Sequence, residues 1–364
     1  MNALRAGIIG AGFIGGVHAY AVRASGGIVA QVADASPDAS AAAAVRFGAI
    51  RGAESAESLI TSGDVDVVHI CTPNDTHYEL ALAALEAGKA VICEKPLATS
   101  VEQASHLARV AAHTGAVTAV PFVYRFYPSV REARYHITTG EAGDLWMLHG
   151  SYLQDWLSSA QETNWRVDPA RGGGSRAFGD IGVHWCDLME FTTGHRITRL
   201  VARMSVAHKN RRSPDGRTLV GTEDGATVLF ETDRGATGSV VVSQVSPGRK
   251  NRLWFSFDGT NAAYVFDQEV PDSLWVGGRP SNTVVPRGPD TFSPGGGADY
   301  ARLPSGHPQG YQDSFTAFVA DAYAAVAGAR PDGLPSFDDG LRAAVITEAV
   351  LASAAKDEWV EVPS

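Results

Sequence analysis

Glu94-Lys95-Pro96 follows the apolar run Ala90–Cys93, so an amine stands where a strand should end and a loop begin. Open α/β sheets bind their ligands outside the carboxyl ends of such strands. Lysine is ordinarily a solvated surface residue, but here burial and neighbouring charge could tune it into a proton carrier. A second set lies far downstream, in Asp180-Ile181-Gly182-Val183-His184-Trp185-Cys186-Asp187. If residues from Asp180 onward are helical, Asp180, His184 and Asp187 stand at i, i+4 and i+7 on one face. A carboxylate one turn from an imidazole can fix its tautomer and raise its basicity. Two plainer readings compete: a surface pair of His184 with Asp187, or Asp180 as a helix cap. The apolar neighbours Ile181, Val183, Trp185 and Leu188 predict a largely buried helix, where an unpaired acid or imidazole is costly, and favour a functional pair. No second histidine lies at ligand spacing, so no metal site is expected.

These groups need a scaffold, and the first third of the chain reads as one. Apolar residues 6–9 lead into Gly10-Ala11-Gly12-Phe13-Ile14-Gly15 and then a helical run. In that strand–turn–helix setting Gly10 permits the tight turn, Gly12 admits a pyrophosphate and Gly15 lets helix and strand pack closely. The run 28–33 ends in Asp34, an acid placed to accept from the adenine ribose hydroxyls and to repel a 2′-phosphate. Residues 35–37 offer no cation for that phosphate, so NAD is expected over NADP. Asp34 capping a helix near Pro37 is compatible with this. Strands at 65–71, 90–93 and 117–120 alternate with helices at 39–47, 76–87 and 101–113, which implies parallel βαβ units. The loop Thr72-Pro73-Asn74-Asp75-Thr76-His77 could line the nicotinamide side of a dinucleotide site, although a cap by Asn74 or Asp75 explains its spacing better.

After Pro121 the pattern changes to strand-like runs at 146–154, 200–207, 225–231, 235–243, 252–258 and 262–266, several joined by short turns. Adjacent strands with such turns predict an antiparallel sheet. The expected architecture is therefore α/β followed by α+β. A Rossmann dinucleotide-binding domain spans 1–122. An α+β substrate and oligomerisation domain on a large, mostly antiparallel open sheet spans 123–336. A C-terminal helix and tail, 337–364, packs back near the nucleotide domain. The Gly- and Pro-rich stretch 280–310 could be a lid, an arm or part of a substrate wall.

The chain has 364 residues, enough for roughly two domains. A net charge of −10 argues against non-specific binding to nucleic acid or an anionic membrane. It leaves an anionic cofactor possible, since helix N-terminal amides bind phosphate without lysine. Cys71, Cys93 and Cys186 form no metal spacing and read as reduced core thiols. With no signal peptide and no apolar stretch of spanning length, a cytoplasmic protein is expected.

The ordered set Gly10-x-Gly12-x-x-Gly15, Thr72-Pro73-Asn74-x-x-His77, Glu94-Lys95-Pro96 and Asp180-x-Gly182-x-His184-x-x-Asp187 resembles the Gfo/Idh/MocA oxidoreductases over nearly the whole chain. That resemblance implies a catalytic set of Lys95, Asp180 and His184. It implies dinucleotide contacts from Gly10, Gly12, Phe13, Ile14, Gly15 and Asp34, with Thr72, Pro73, Asn74, His77, Glu94 and Lys95 at the nicotinamide end. Residues 152–156, 164–166 and 305–311 look like a sugar-oxidising branch of the family. Within it Tyr127, Gln154, Trp165, Arg166 and His307 join Asp180 and His184 as candidate substrate contacts. The implied activity is oxidation of a secondary hydroxyl of a sugar, anhydrosugar or cyclitol by NAD, in a homodimer or homotetramer associated through the second domain's sheet. The rivals are redox-neutral keto-sugar chemistry with a retained cofactor, and a non-catalytic NAD-binding regulator.

Overall fold

A computed structural model of the chain describes residues 3–162, 164–213 and 216–363. The chain divides into two compact units, Met1–Val123 with Tyr311–Ala344, and Tyr124–Gly310 with Val345–Ser364. The division departs from the boundaries expected. Residues 311–336 fall with the first unit, and residues 345–364 fall with the second.

The first unit carries a six-stranded parallel sheet. Its strands are β1 (Arg5–Ile9), β2 (Ile28–Ala33), β3 (Arg51–Gly52), β4 (Val67–Ile70), β5 (Ala90–Cys93) and β6 (Thr118–Ala119), in the order β3-β2-β1-β4-β5-β6. All four residues of β4 are buried, as a strand covered on both faces must be. Helices α1 (Phe13–Ala24), α2 (Pro37–Phe47), α3 (Ala56–Ile60), α4 (His77–Glu86) and α5 (Val101–Thr114) alternate with the strands. The order reverses beside β1, so the carboxyl ends of β1, β2, β4 and β5 bring together Gly10–Gly15, Asp34, Thr72–His77 and Glu94–Pro96. Residues 311–336 belong here because the helix Tyr311–Val326 lies along α1. Gln312 donates to the Val17 carbonyl and Ser25 to the Thr316 carbonyl, and the Val120 N–H meets Pro335.

The second unit is built on nine strands. In chain order it contains α6 (Pro128–Thr138), β7 (Leu145–Leu153), α7 (Pro169–Gly172), α8 (Val183–Thr193), β8 (Ile197–Ser205), the hairpin β9 (Asn210–Ser213) and β10 (Gly216–Leu219), β11 (Gly225–Thr232), β12 (Thr237–Ser243), β13 (Arg252–Gly259), β14 (Ala263–Asp267), β15 (Ser273–Gly277) and β16 (Asn282–Pro286). The helix Tyr311–Val326 of the first unit is α9, and α10 (Phe337–Lys356) leads to β17 (Val360–Glu361), which pairs with β8. The sheet order is β16-β15-β14-β13-β7-β12-β11-β8-β17, antiparallel throughout except for β7 beside β12. One sheet face is covered by α6 and α8. Gly150 on β7 leaves room for Trp185 of α8, whose indole N–H reaches the Trp254 carbonyl at 2.9 Å; a Cβ at 150 would sit 2.3 Å from that nitrogen.

The stretch 280–310 is pinned to the rest of this unit by buried hydrogen bonds. Buried Arg287 donates to Asp272 and to the Leu303 and His307 carbonyls, while Glu132 accepts from the N–H groups of Ser293 and Gly297. All three cysteines are buried thiols outside any disulfide, and burial pushes the Cys71 and Cys93 thiols well up. Among the described residues no helix is long and apolar enough to cross a membrane.

Candidate active site

In the first unit the turn after β1 has Gly10 at φ +96°, where a Cβ would lie 2.6 Å from the Cys71 carbonyl oxygen. A Cβ on Gly15 would lie 2.2 Å from the Gly10 carbonyl oxygen, so helix and turn require both glycines. Gly12, by contrast, faces open space and carries no side-chain cap for α1. Uncapped N–H groups at the start of a twelve-residue helix, with no side chain in front of them, fit a pyrophosphate. Phe13, 83% exposed beside Gly12, lies at the edge of a groove of about 610 Å³ that Tyr20 and Arg46 also border, and Ile14 is half-buried outside it.

At the end of β2, Ser36 and not Asp34 caps α2, accepting from the Ala39 N–H at 3.2 Å. The exposed Asp34 carboxylate accepts from the Ala35 N–H and keeps capacity for ribose hydroxyls. The loop after β4 also departs from the expected cap: neither Asn74 nor Asp75 caps α4, and the Thr76 hydroxyl binds the Pro73 carbonyl at 2.8 Å. His77 is buried. Its Nδ1 meets the Pro96 carbonyl at 2.7 Å and its Nε2 the Thr72 carbonyl at 2.9 Å. Burial pushes its imidazolium down, and the two carbonyls pull it up. His77 therefore clamps the Thr72–Thr76 loop to the Glu94-Lys95-Pro96 loop instead of lining the nicotinamide end itself. Glu94 is likewise buried and accepts the Lys95 backbone N–H at 3.1 Å, while Lys95 is half-buried.

In the second unit the expected regular helix from Asp180 is replaced by a π-helical turn, Phe178–Gly182, before α8 begins at Val183. Such turns disturb helical phase and recur at functional sites. Asp180 lies in that turn, with Oδ2 accepting from Gln244 at 2.7 Å and Oδ1 paired with Arg166 at 3.4 Å. Arg166 stacks over Trp165 at 4.4 Å. Asp187 does not share the acid–base face: Arg125 binds both of its oxygens, one at 2.9 Å through Nε. The buried His184 ring stands edge-on to Tyr124, with centroids 5.1 Å apart, and 6.3 Å from Tyr152.

Tyr124, Tyr152, Asn251 and Gln244 complete this cluster and were not foreseen. The Tyr124 and Tyr152 hydroxyls bond each other, and Asn251 Oδ1 accepts from Tyr152 and from Gln154, each at 2.7 Å. Burial pushes the Tyr124 hydroxyl up, keeping it a donor at neutral pH. Tyr127, the expected sugar contact, is only 1% exposed and stacks behind Tyr124 at 5.9 Å. Tyr124 and Tyr127 lie three residues apart in one aromatic segment, and the sequence offers no phase to choose between them. His307 stands on an exposed turn where its carbonyl accepts from Arg287. Among the described residues no group of three or more His, Cys, Asp or Glu could hold a metal ion.

Comparison with known proteins bears on what such residues do. Residues 4–122 match the model of the oxidoreductase family with an NAD-binding Rossmann fold, and residues 130–265 match the Gfo/Idh/MocA C-terminal domain. Levoglucosan dehydrogenase of Pseudarthrobacter phenanthrenivorans is 32% identical over 100% of this chain and 99% of its own. Inositol 2-dehydrogenase of Rhizobium meliloti is 28% identical, covering 99% of each. A solved levoglucosan dehydrogenase in complex with NADH and levoglucosan matches 100% of both chains with a TM-score of 0.93 at 32% identity.

Proposed function

The chain belongs to the Gfo/Idh/MocA oxidoreductase family, and from that premise we propose that it oxidises a secondary hydroxyl of a sugar, anhydrosugar or cyclitol to a ketone with NAD as acceptor. The observation that carries this reading is the cluster in which Asp180 and His184 share a unit with the linked Tyr124, Tyr152, Gln154 and Asn251. A ring bearing several hydroxyls suits such a row of donors and acceptors, and an analogue lacking one hydroxyl would leave a polar group unpaired.

In this reading the His184 imidazole takes the proton of the reacting hydroxyl. Asp180 orients His184 or holds a neighbouring hydroxyl, and Lys95 Nζ stabilises the developing alkoxide or relays the proton. Trp165 and Arg166 flank Asp180 and bound the sugar, with His307 a further candidate contact. Gly10, Gly12, Phe13, Ile14 and Gly15 hold the dinucleotide, and Asp34 favours NAD over NADP. Thr72, Pro73 and Asn74 bound the nicotinamide end, with Glu94 and His77 fixing the loops that carry it. The nicotinamide, when bound, supplies the hydride acceptor.

The test is absorbance of NADH during incubation of the full chain with NAD and a panel of sugars, anhydrosugars and inositols. Net NADH with any member supports the dehydrogenase. Turnover without net NADH supports redox-neutral keto-sugar chemistry, and cofactor binding without turnover supports a regulator. Self-association through the second unit's sheet is part of the same proposal. By register Leu229, Val241, Trp254, Trp275 and Val284 share one sheet face, where Val284 is 62% and Leu229 49% exposed. A monomeric sedimentation coefficient at micromolar concentration would remove it.

A further inference from the structure

The first unit buries a row of titratable side chains that none of the roles above uses. His18 on α1 and His69 on β4 are fully buried, and their Nδ1 atoms face each other at 2.9 Å. The outer nitrogen of His18, Nε2, meets Glu94 Oε1 at 3.2 Å. The outer nitrogen of His69 meets the Tyr323 hydroxyl at 3.0 Å. Tyr323 comes from α9, so the C-terminal return of the chain into this unit completes the row. An imidazole in the middle of the buried run Val67-Val68-His69-Ile70 costs stability unless both nitrogens are satisfied, and here both are.

Counting protons gives the row a direction. A hydrogen bond between two ring nitrogens needs one N–H and one lone pair. If His69 Nδ1 donates to His18 Nδ1, His18 Nε2–H points at Glu94 and His69 Nε2 accepts the Tyr323 O–H. Every hydrogen then has an acceptor, and Glu94 is a carboxylate. In the opposite sense, with Glu94 protonated, His69 Nε2–H points at the Tyr323 oxygen. The same follows if His18 is an imidazolium. In both cases the hydroxyl hydrogen of the buried Tyr323 loses its acceptor, because among the described residues that hydroxyl bonds only His69. A buried donor left without an acceptor forfeits its hydration with nothing in return, so the first sense is favoured.

We propose that Tyr323, His69 and His18 form a one-directional hydrogen-bond chain that holds Glu94 as a carboxylate beneath Lys95. The proposal rests on the dehydrogenase reading for its consequence, since Glu94 Oε2 also accepts the Lys95 backbone N–H and so fixes the peptide from which Lys95 rises. His18, His69 and Tyr323 are positioning residues acting through Glu94. Burial pushes the Tyr323 hydroxyl up and the His69 imidazolium well down, both of which favour the neutral forms the chain needs. The other groups within electrostatic reach of Glu94 are Cys71, Cys93 and His77, with Lys95 adjacent. Both thiols are held protonated by burial, so they add no competing charge.

The chain is tested without turnover by long-range proton–nitrogen spectra of the full protein with labelled histidine, assigned through His18→Gln and His69→Gln. Protons on His18 Nε2 alone and His69 Nδ1 alone are expected at neutral pH. The opposite tautomers, or an imidazolium at His18, would overturn the direction. The consequence is tested by Tyr323→Phe, which keeps the ring and removes the terminal donor. The acid limb of kcat/KM that lies below the one set by the base His184 should move to higher pH by about half a unit, about threefold in activity on that limb, with the His184 limb and NADH affinity unchanged. An unmoved limb would show the row to be only packing. A protein that turns over no sugar would remove the dehydrogenase reading, while the tautomers would still decide the chain.

Discussion

Asp224 and Asp180 are both paired with arginine inside the second unit. Asp224 is 1% exposed at its side chain and accepts from Arg176, from Arg211 at 2.7 Å, and from the N–H groups of Ala207 and His208 at 2.8 and 2.9 Å. Burial pushes its carboxyl up, but the His208 N–H and the two guanidinium groups hold it below the usual range. Arg211 goes on to the Leu157 and Ser159 carbonyls, tying the β9–β10 hairpin to the chain before it. Asp180 has a side chain 16% exposed and a looser 3.4 Å contact with an Arg166 that is itself a third exposed. A saturated, dry acid can only hold structure; one whose ion pair is long and near solvent can exchange that guanidinium for a hydroxyl.

The largest effects should separate the two clusters. His184→Ala, beside Asp180, should lower kcat by about 10²–10⁴-fold while the melting temperature stays near that of the parent. A variant with full turnover would take His184 out of the chemistry. Asp224→Ala leaves two buried guanidinium groups without their anion and should cost about 3–5 kcal/mol, read as a lower denaturant midpoint. If the Asp224 variant kept its midpoint and lost only turnover, the division between scaffold and site would be misdrawn.

How the two clusters stood in the sequence follows from their chemistry. Gly10, Gly12 and Gly15 were legible because a turn, an open approach and a close packing each require glycine at fixed spacing. Alternating runs gave β7, β8 and β11 to β14 to within a few residues. The hairpin β9–β10 and Arg176–Asp224–Arg211 were not legible, since a salt bridge between residues 48 apart leaves no local period. The same holds for His69 with Tyr323, separated by 254 residues, and for the return of residues 311–336 to the first unit. At the site, Asp180 and His184 were visible as types, but the π-helical turn that sets their phase has no sequence period of its own. For that reason Asp187 was grouped with them, although it belongs to Arg125.

Asp34 carries the comparison into the first unit, as an exposed acid whose carboxylate accepts from the Ala35 N–H. Asp34→Ala should weaken NADH binding by about 1.5–3 kcal/mol, the worth of hydrogen bonds to a charged group. It should also strengthen NADPH binding relative to NADH by removing repulsion of the 2′-phosphate. Fluorescence titration with both nucleotides checks this. Equal losses for the two would leave Asp34 without a role in discrimination.

The smallest effect is expected where a buried acid has one partner able to lose its charge. Glu132 accepts from His136 Nε2 at 3.0 Å and from the Ser293 and Gly297 N–H groups, so it resembles Asp224 with a titratable imidazole in place of a guanidinium. The other ring nitrogen of His136 meets Glu141 at 2.8 Å, and a ring facing two carboxylates is best satisfied as an imidazolium. The Glu132 bond raises the His136 value, burial opposes it, and Glu141 raises it again. A group raised on folding adds stability that is complete below its unfolded value, about 6.5, and that fades as pH climbs through the folded value. His136→Gln should therefore destabilise more at pH 6 than at pH 9, by a few tenths up to about 1 kcal/mol. Glu132 is held below its usual range, so its own contribution is lost only as pH falls towards the carboxylate range and does not interfere between those two values. The His136 ring also stacks on Tyr264, centroids 5.6 Å apart. A loss equal at both pH values would assign its whole contribution to that stacking and place Glu132 with Asp224, saturated by groups that do not titrate.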